Sequence, residues 1–287
     1  MHVLIVGSGP AGISAALYAR RGGADTTVIT KGSGFLETAE SIENYYGFSA
    51  PVSGPELERR GIEGAKRLGV VFVEDEVIEV RRAAVGGGFV VEGKHQDYAG
   101  DAVILATGVA RRTLSIPGVR EYEGHGVSYC AICDAFFYRG KVAAVVGSGD
   151  YALHEARILQ PHAERIIMMT NGEELAIKVP HEIEVQTGRI LRLEGARRVQ
   201  RIVFADAPAL DVDGVFMAIG VAGSSDLAMK LGVLLKDAKV VVNENMETNI
   251  PGIYAAGDCT GGLLQIVKAA YEGARAGLSA VRYLRHG

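Results

Sequence analysis

The chain has 287 residues, 48% of them hydrophobic, enough for one large core or two modest ones. Its formal net charge of -4 gives no electrostatic ground for a nucleic-acid or anionic-membrane partner. No apolar run is long enough to span a bilayer, no charged segment precedes the apolar start at Val3 as a secretory signal requires, and three cysteines fit a reducing cytosol better than a disulfide scaffold.

The elements then alternate along the chain. Residues 2–6 read as a short buried strand, 13–21 have helical apolar spacing and stop at Gly22-Gly23, and 26–29 form the next strand. That is the opening of a βαβ unit on a parallel sheet. The pattern recurs with a strand at 142–146, a glycine turn, a helix to about 159 and a strand at 166–169. Residues 248–258 return to strand and glycine, and a helix follows over about 264–284. This tail is too small to stand alone and is expected to pack back on the first domain. The fold class is therefore α/β, with two Rossmann-like three-layer domains, the first discontinuous. One domain begins near residue 1 and the other near residue 114.

Gly7-Ser8-Gly9-Pro10-Ala11-Gly12 is a G-x-G-x-x-G placed after a strand and before a helix. Gly7 permits the tight turn, Gly9 lets backbone approach a pyrophosphate, and Gly12 lets helix and strand pack closely. The plain alternative is a tight turn without ligand. The acid that usually holds the ribose some 20 residues on is replaced by Thr30-Lys31, so the ribose must be held otherwise.

Cys130-Ala131-Ile132-Cys133 can close a small disulfide ring and exchange with another disulfide. Asp134 follows as a proton donor or acceptor for that chemistry. The alternatives are half of a zinc site or inert packing; zinc would draw on Cys259 or scattered histidines for further ligands. Gly147-Ser148-Gly149-Asp150-Tyr151-Ala152 suggests a second nucleotide turn. The strand after it runs into Thr170-Asn171-Gly172-Glu173-Glu174, with no arginines for a 2′-phosphate and acids that would repel one. A nicotinamide site and a fold retained without its ligand both remain open. Gly257-Asp258 ends a strand. Asp258 suits a ribityl hydroxyl, or serves as a helix N-cap. Cys259 reads as a small buried residue before a third redox thiol. The arginine pairs, among them Arg59-Arg60 and Arg111-Arg112, are solvated surface or a docking patch for an acidic protein.

Gly7 to Gly12, Ile42-Glu43-Asn44-Tyr45-Tyr46-Gly47, Ala106-Thr107-Gly108, Cys130 to Asp134 and Ala256-Gly257-Asp258 together resemble the low-molecular-weight thioredoxin reductases in order and spacing, over nearly the whole chain. The resemblance implies an FAD domain over 1–113 and 245–287 and a middle domain over 114–244 that carries the disulfide. It implies FAD contacts from Gly7, Gly9, Pro10, Ala11, Gly12, Thr30, Lys31, Asn44, Thr107, Gly108, Gly257, Asp258 and Gln265. It also implies Asp134 as the proton-transfer residue, a homodimer, and a cytoplasmic enzyme that reduces a thioredoxin-like protein. The stretch Thr170 to Glu173 departs from the His-Arg-Arg of NADPH-using members, and the middle domain is about one helix shorter. Residues 169–174, 214–227 and 261–277 are similar to the ferredoxin-dependent flavin thioredoxin reductases of anaerobes, which implies reduced ferredoxin as the electron donor. Other donors, NAD(P)H or deazaflavin, and a flavin-bound redox sensor with a structural disulfide remain as alternatives. In the implied route, Cys133 faces the flavin, Cys130 attacks the partner disulfide, and rotation about linkers near 111–116 and 241–247 alternates the two.

Overall fold

The computed structural model describes residues 1–32, 34–84, 87–108, 116–175, 177–220 and 222–286. Most of the expected linker near 111–116, with the Arg111-Arg112 pair, lies outside them. The first stretch builds β1 (His2–Val6), α1 (Pro10–Arg21), β2 (Asp25–Thr30), α2 (Gly54–Arg67) and β3 (Val71–Glu74). β4 (Val77–Arg82), β5 (Phe89–Gly93), β6 (Asp97–Gly100) and β7 (Ala102–Leu105) follow. The middle holds β8 (Val127–Ser128), α3 (Ala131–Asp134), β9 (Val142–Val146), α4 (Asp150–Leu159), β10 (Arg165–Met169) and β11 (Glu184–Gln186). It continues through β12 (Ile190–Gly195), β13 (Val199–Phe204), β14 (Leu210–Asp211) and β15 (Gly214–Met217). The last stretch holds α5 (Ser224–Lys230), β16 (Leu235–Lys236), β17 (Lys239–Val240), β18 (Ile253–Ala255) and α6 (Ile266–His286).

These elements form two compact units, Met1–Ala110 with Gly223–Gly287, and Arg111–Ala222. The expected return to the first unit at 245 therefore moves to 223. The physical reason is local. The Ser224 amide donates to Thr107 Oγ1 at 2.6 Å, and α5 packs on β4. The segment from 223 is thus tied to the first unit before its last strand begins.

In the first unit a parallel sheet runs in the order β18-β7-β1-β2-β3. Val3, Leu4 and Ile5 of β1 are buried, as a central parallel strand covered on both faces requires. α1 and α6 pack side by side because α6 presents glycines to α1: a Cβ at Gly273 would stand 2.0 Å from the Ala11 carbonyl oxygen, and one at Gly277 would stand 2.5 Å from that of Ala15. A smaller antiparallel sheet, β4-β5-β6, completes the unit with the β16–β17 pair. The second unit repeats the plan, with a parallel sheet β11-β10-β9-β15-β8 and an antiparallel sheet β12-β13-β14. Val127, Val146, Ile167, Ile202 and Val215 join one buried core there. Both units are Rossmann-like. Among the described residues no helix is long and apolar enough to cross a membrane.

Candidate active site

Cys130 and Cys133 are joined as a disulfide with their Cα atoms 5.4 Å apart. The sequence gives them a short helix to do this. Cys130 is the N-cap of α3, and its Sγ accepts the Cys133 amide at 3.3 Å. The turn is fixed from two sides. Ser128 Oγ accepts the Cys130 amide at 3.1 Å, and Glu155 Oε2 of α4 accepts the Ala131 amide at 2.8 Å. Glu155 is 1% exposed, and neither spacing nor motif pointed to it. Cys130 is 2% exposed while Cys133 is exposed, so the two sulfurs of one bond stand in different surroundings. Asp134 is half-buried. Burial pushes the Tyr138 phenol above its usual pKa; Arg198 pulls it down, and Asp134 and Asp213 push it further up. Beyond the disulfide, Ile132, Phe136 and Phe137 are 52%, 64% and 65% exposed, an apolar shelf that a folded protein rarely leaves uncovered without use. Arg139 lies over the Phe136 ring at 4.9 Å.

The first glycine turn has the form a dinucleotide requires. Gly7 has φ +108°, and a Cβ at Gly12 would meet the Gly7 carbonyl oxygen at 1.9 Å, so β1 and α1 touch through backbone. A Cβ at Gly9 would find nothing within 4 Å, so the space in front of this residue is open. Pro10 occupies the first turn of α1 and no side chain caps that helix, which leaves its amides facing outward. Ala11 is buried behind them. The residues fit a pyrophosphate at this position.

The other expected cofactor residues gather in the same unit. Asn44 Nδ2 donates to Gln265 Oε1 at 3.0 Å, across 221 positions of sequence. Thr107 Oγ1 and Ser224 Oγ lie 2.7 Å apart, and Gly108 beside it has φ +72° with nothing within 4 Å of a Cβ. Asp258 opens a 3-10 turn over Asp258–Thr260. Lys268 Nζ donates to the carbonyls of Gly257 and Gly261 at 2.8 and 2.6 Å, and Glu272 accepts the Gly257 amide at 2.8 Å. This lysine and glutamate also pair with each other at 2.9 Å, so the whole turn hangs on one ion pair of α6. Lys31 is turned elsewhere, its ammonium 2.6 Å from Glu76. Thr30 bonds to Ser8, their hydroxyls 2.9 Å apart. Cys259 is buried, with its thiol pushed up to about 11 by that burial; this favours the packing role over a redox one.

The second glycine turn keeps the backbone form but not the opening. Ser148 Oγ in its middle donates to Glu173 Oε2 at 2.8 Å, so an acid from the loop after β10 folds back onto the turn. Asn171, in the left-handed region at φ +54°, shapes that loop by accepting the Ile190 amide at 2.7 Å.

Comparison with known proteins agrees with this geometry. The pyridine nucleotide-disulphide oxidoreductase family matches residues 1–274. A curated thioredoxin reductase of Listeria monocytogenes serovar 1/2a is 33% identical, over 98% of this chain and 93% of the relative. Among solved structures, the atypical thioredoxin reductase TRi from Desulfovibrio vulgaris Hildenborough has a TM-score of 0.91 at 37% identity, covering 99% of this chain and 97% of that one. A ferredoxin-flavin thioredoxin reductase from Clostridium acetobutylicum has a TM-score of 0.72 at 32% identity, covering 100% of this chain and 98% of that one. The chain belongs to the pyridine nucleotide-disulphide oxidoreductase family, with the low-molecular-weight thioredoxin reductases, and its cofactor is FAD.

Proposed function

We propose that this protein reduces the disulfide of a thioredoxin-like protein through Cys130 and Cys133, and that its electrons come from reduced ferredoxin. The observation that carries the first half is the disulfide standing beside the exposed shelf of Ile132, Phe136 and Phe137. A small thiol has no need of such a surface, and a protein partner does. In the proposed reaction the reduced Cys130 thiolate attacks one sulfur of the partner disulfide, forming a mixed disulfide and releasing a partner thiolate. Cys133 then attacks Cys130 Sγ, which closes the Cys130–Cys133 bond again and releases the second partner thiolate. Asp134 takes and returns the proton at Cys133 Sγ. FAD, when bound, accepts single electrons and hands them on as a pair, which a disulfide requires. Cys130 is buried, so its attack requires a movement that uncovers it, and the exposure of Cys133 supports its reading as the sulfur reduced first.

The second turn supports this donor. A 2′-phosphate or pyrophosphate brought to Ser148 would meet the Glu173 carboxylate already bonded there. That supports a donor that bypasses the nucleotide site, as does the likeness to a ferredoxin-flavin thioredoxin reductase. NADH remains a second reading, favoured by the uncapped N-terminus of α4 behind the turn. The apolar stripe Val267, Tyr271 and Leu278 on α6 is exposed and supports a homodimer.

The test is a donor panel. The purified protein is assayed on thioredoxin with reduced ferredoxin, NADPH, NADH or reduced deazaflavin. Turnover is expected with ferredoxin and not with NADPH; rapid NADPH turnover overturns the donor assignment. With Cys133→Ser a mixed disulfide through Cys130 should be trapped. Trapping only through Cys133 in the Cys130→Ser variant reverses the roles.

A further inference from the structure

The dinucleotide turn of this chain lacks its usual ribose acid: Thr30 and Lys31 stand at the tip of β2, and Lys31 is committed to Glu76 at 2.6 Å. The structure brings a carboxylate to the same place from another element. Glu58 of α2 places Oε1 3.2 Å from Ser8 Oγ, inside the glycine turn, and Ser8 Oγ is 2.9 Å from Thr30 Oγ1. Glu58, Ser8 and Thr30 thus form one chain of polar atoms from α2 across the turn to the strand tip.

The proton inventory leaves Glu58 short of donors. The Thr30 hydroxyl donates to the Gly32 carbonyl at 3.0 Å. Ser8 has a single hydroxyl proton for both Thr30 and Glu58. Among the described residues the remaining donor to Glu58 is the Gly34 amide. A carboxylate offers about four acceptor positions, so a share of one hydroxyl and one amide leaves room for two more donors. Nor, among the described residues, does a cation answer the charge. Arg59 pairs with Glu56 and Glu63, and Arg60 pairs with Glu56, while the charged group that acts on Glu58 is another acid, Glu37. Burial pushes the Glu58 carboxyl above its usual pKa. The residue is 5% exposed, yet it lines a cavity of about 480 Å³ together with Pro10, Leu36, Tyr45 and Ile266. Its burial is not needed to cap α2, which Ser53 does by accepting the Glu56 amide at 3.3 Å.

We propose that Glu58 receives the 2′,3′-diol of the adenosine ribose of FAD, doing from α2 what an acid at the tip of β2 does in other dinucleotide sites. The proposal rests on FAD occupying the Gly7–Gly12 turn. The diol supplies the two donors that the carboxylate lacks, and a buried site makes such bonds discriminating, because an analogue without the hydroxyl leaves the carboxylate under-bonded.

The test uses FAD-stripped protein and three ligands, FAD, ADP and 2′-deoxy-ADP, with binding followed by calorimetry. Wild type is expected to bind ADP about tenfold more tightly than 2′-deoxy-ADP, the scale of one hydrogen bond to a charged group. In Glu58→Met the FAD affinity falls by about tenfold or more and the preference for ADP over 2′-deoxy-ADP collapses toward one. Glu58→Gln, which keeps one acceptor oxygen, falls in between. A Glu58→Met protein that keeps the wild-type preference overturns the proposal whatever its FAD affinity, because loss of packing alone would weaken both ADP ligands equally. Should that variant not fold, equal binding of ADP and 2′-deoxy-ADP by wild type overturns it. A wild-type protein that binds neither FAD nor ADP removes the cofactor assignment beneath it, which is a different failure and is seen before any variant is made.

Discussion

Glu155 holds the redox turn by one bond, and that bond has a testable weight. Its carboxylate accepts the Ala131 amide at 2.8 Å with 1% exposure, so removing it strands a buried donor next to Cys130. Glu155→Ala is expected to destabilise the second unit by about 1–3 kcal/mol and to raise the alkylation rate of the reduced Cys130 thiol. Glu155→Gln keeps an acceptor oxygen and should restore most of both. Denaturant titration and thiol alkylation read the two effects, and an alanine variant with wild-type alkylation would remove the positioning role. Residues of this kind divide the legible from the hidden. Gly7, Gly9 and Gly12 could be read directly, because each is required by backbone within one turn. The Cys130–Cys133 pair was equally open, being local in sequence. Glu155, Ser224 and Glu58 were not, because each acts at a residue 24, 117 or 50 positions away, and no local pattern records such a meeting.

At the scale of elements, α6 holds the Gly257–Gly261 turn, proposed to meet the cofactor, through the Lys268–Glu272 pair. The two side chains are 16% and 12% exposed and share their bonds among Gly257, Thr260 and Gly261. Lys268→Met leaves the glutamate charge buried without its partner, which should cost about 3–5 kcal/mol and reduce retained FAD. The double variant Lys268→Met with Glu272→Met should recover much of the stability but not the FAD, since the turn is then unheld. Thermal melts and flavin absorbance per chain separate the two. The β4–β6 sheet depends on Asp75 in a comparable way. Burial raises the Asp75 carboxyl, but bonds from the Tyr98 hydroxyl at 2.8 Å and from the His95 ring and amide outweigh it, and the net pKa is lowered. A lowered carboxyl contributes stability above its unfolded pKa of about 4 and loses it as pH falls through the folded value. The Tm gap between wild type and Asp75→Asn should therefore be wide at pH 7 and narrow toward pH 3; a constant gap would assign the effect to packing. The parallel strands and the glycine-turn helices were legible from continuous apolar runs and their stops. β4–β6 and β12–β14 were not, because their strands mix buried and exposed positions without regular alternation and rest on partners such as Asp75.

For the whole molecule, the division into units makes a claim that the resemblance alone did not. The expected middle domain ran over 114–244, whereas the compact unit ends at Ala222 and the segment from Gly223 belongs with the first unit. The difference concerns where buried contacts go. Ser224 exchanges hydrogen bonds with Thr107, α5 packs on β4, and Asn249 accepts the Leu234 amide at 2.9 Å, all within the first unit. The second unit has its own core, from Ile116 and Val127 through Ile202 to Val215, and needs none of these contacts to bury it. A fragment of residues 111–222 should therefore fold as a cooperative unit and close the Cys130–Cys133 bond on oxidation. A fragment of 111–244 should show the same transition, with the added residues rapidly cut by protease and unprotected from hydrogen exchange, because their partners at Thr107 and β4 are missing. Protection of 223–244 in the longer fragment would instead place the boundary near 245 and make α5 part of the unit that carries the disulfide.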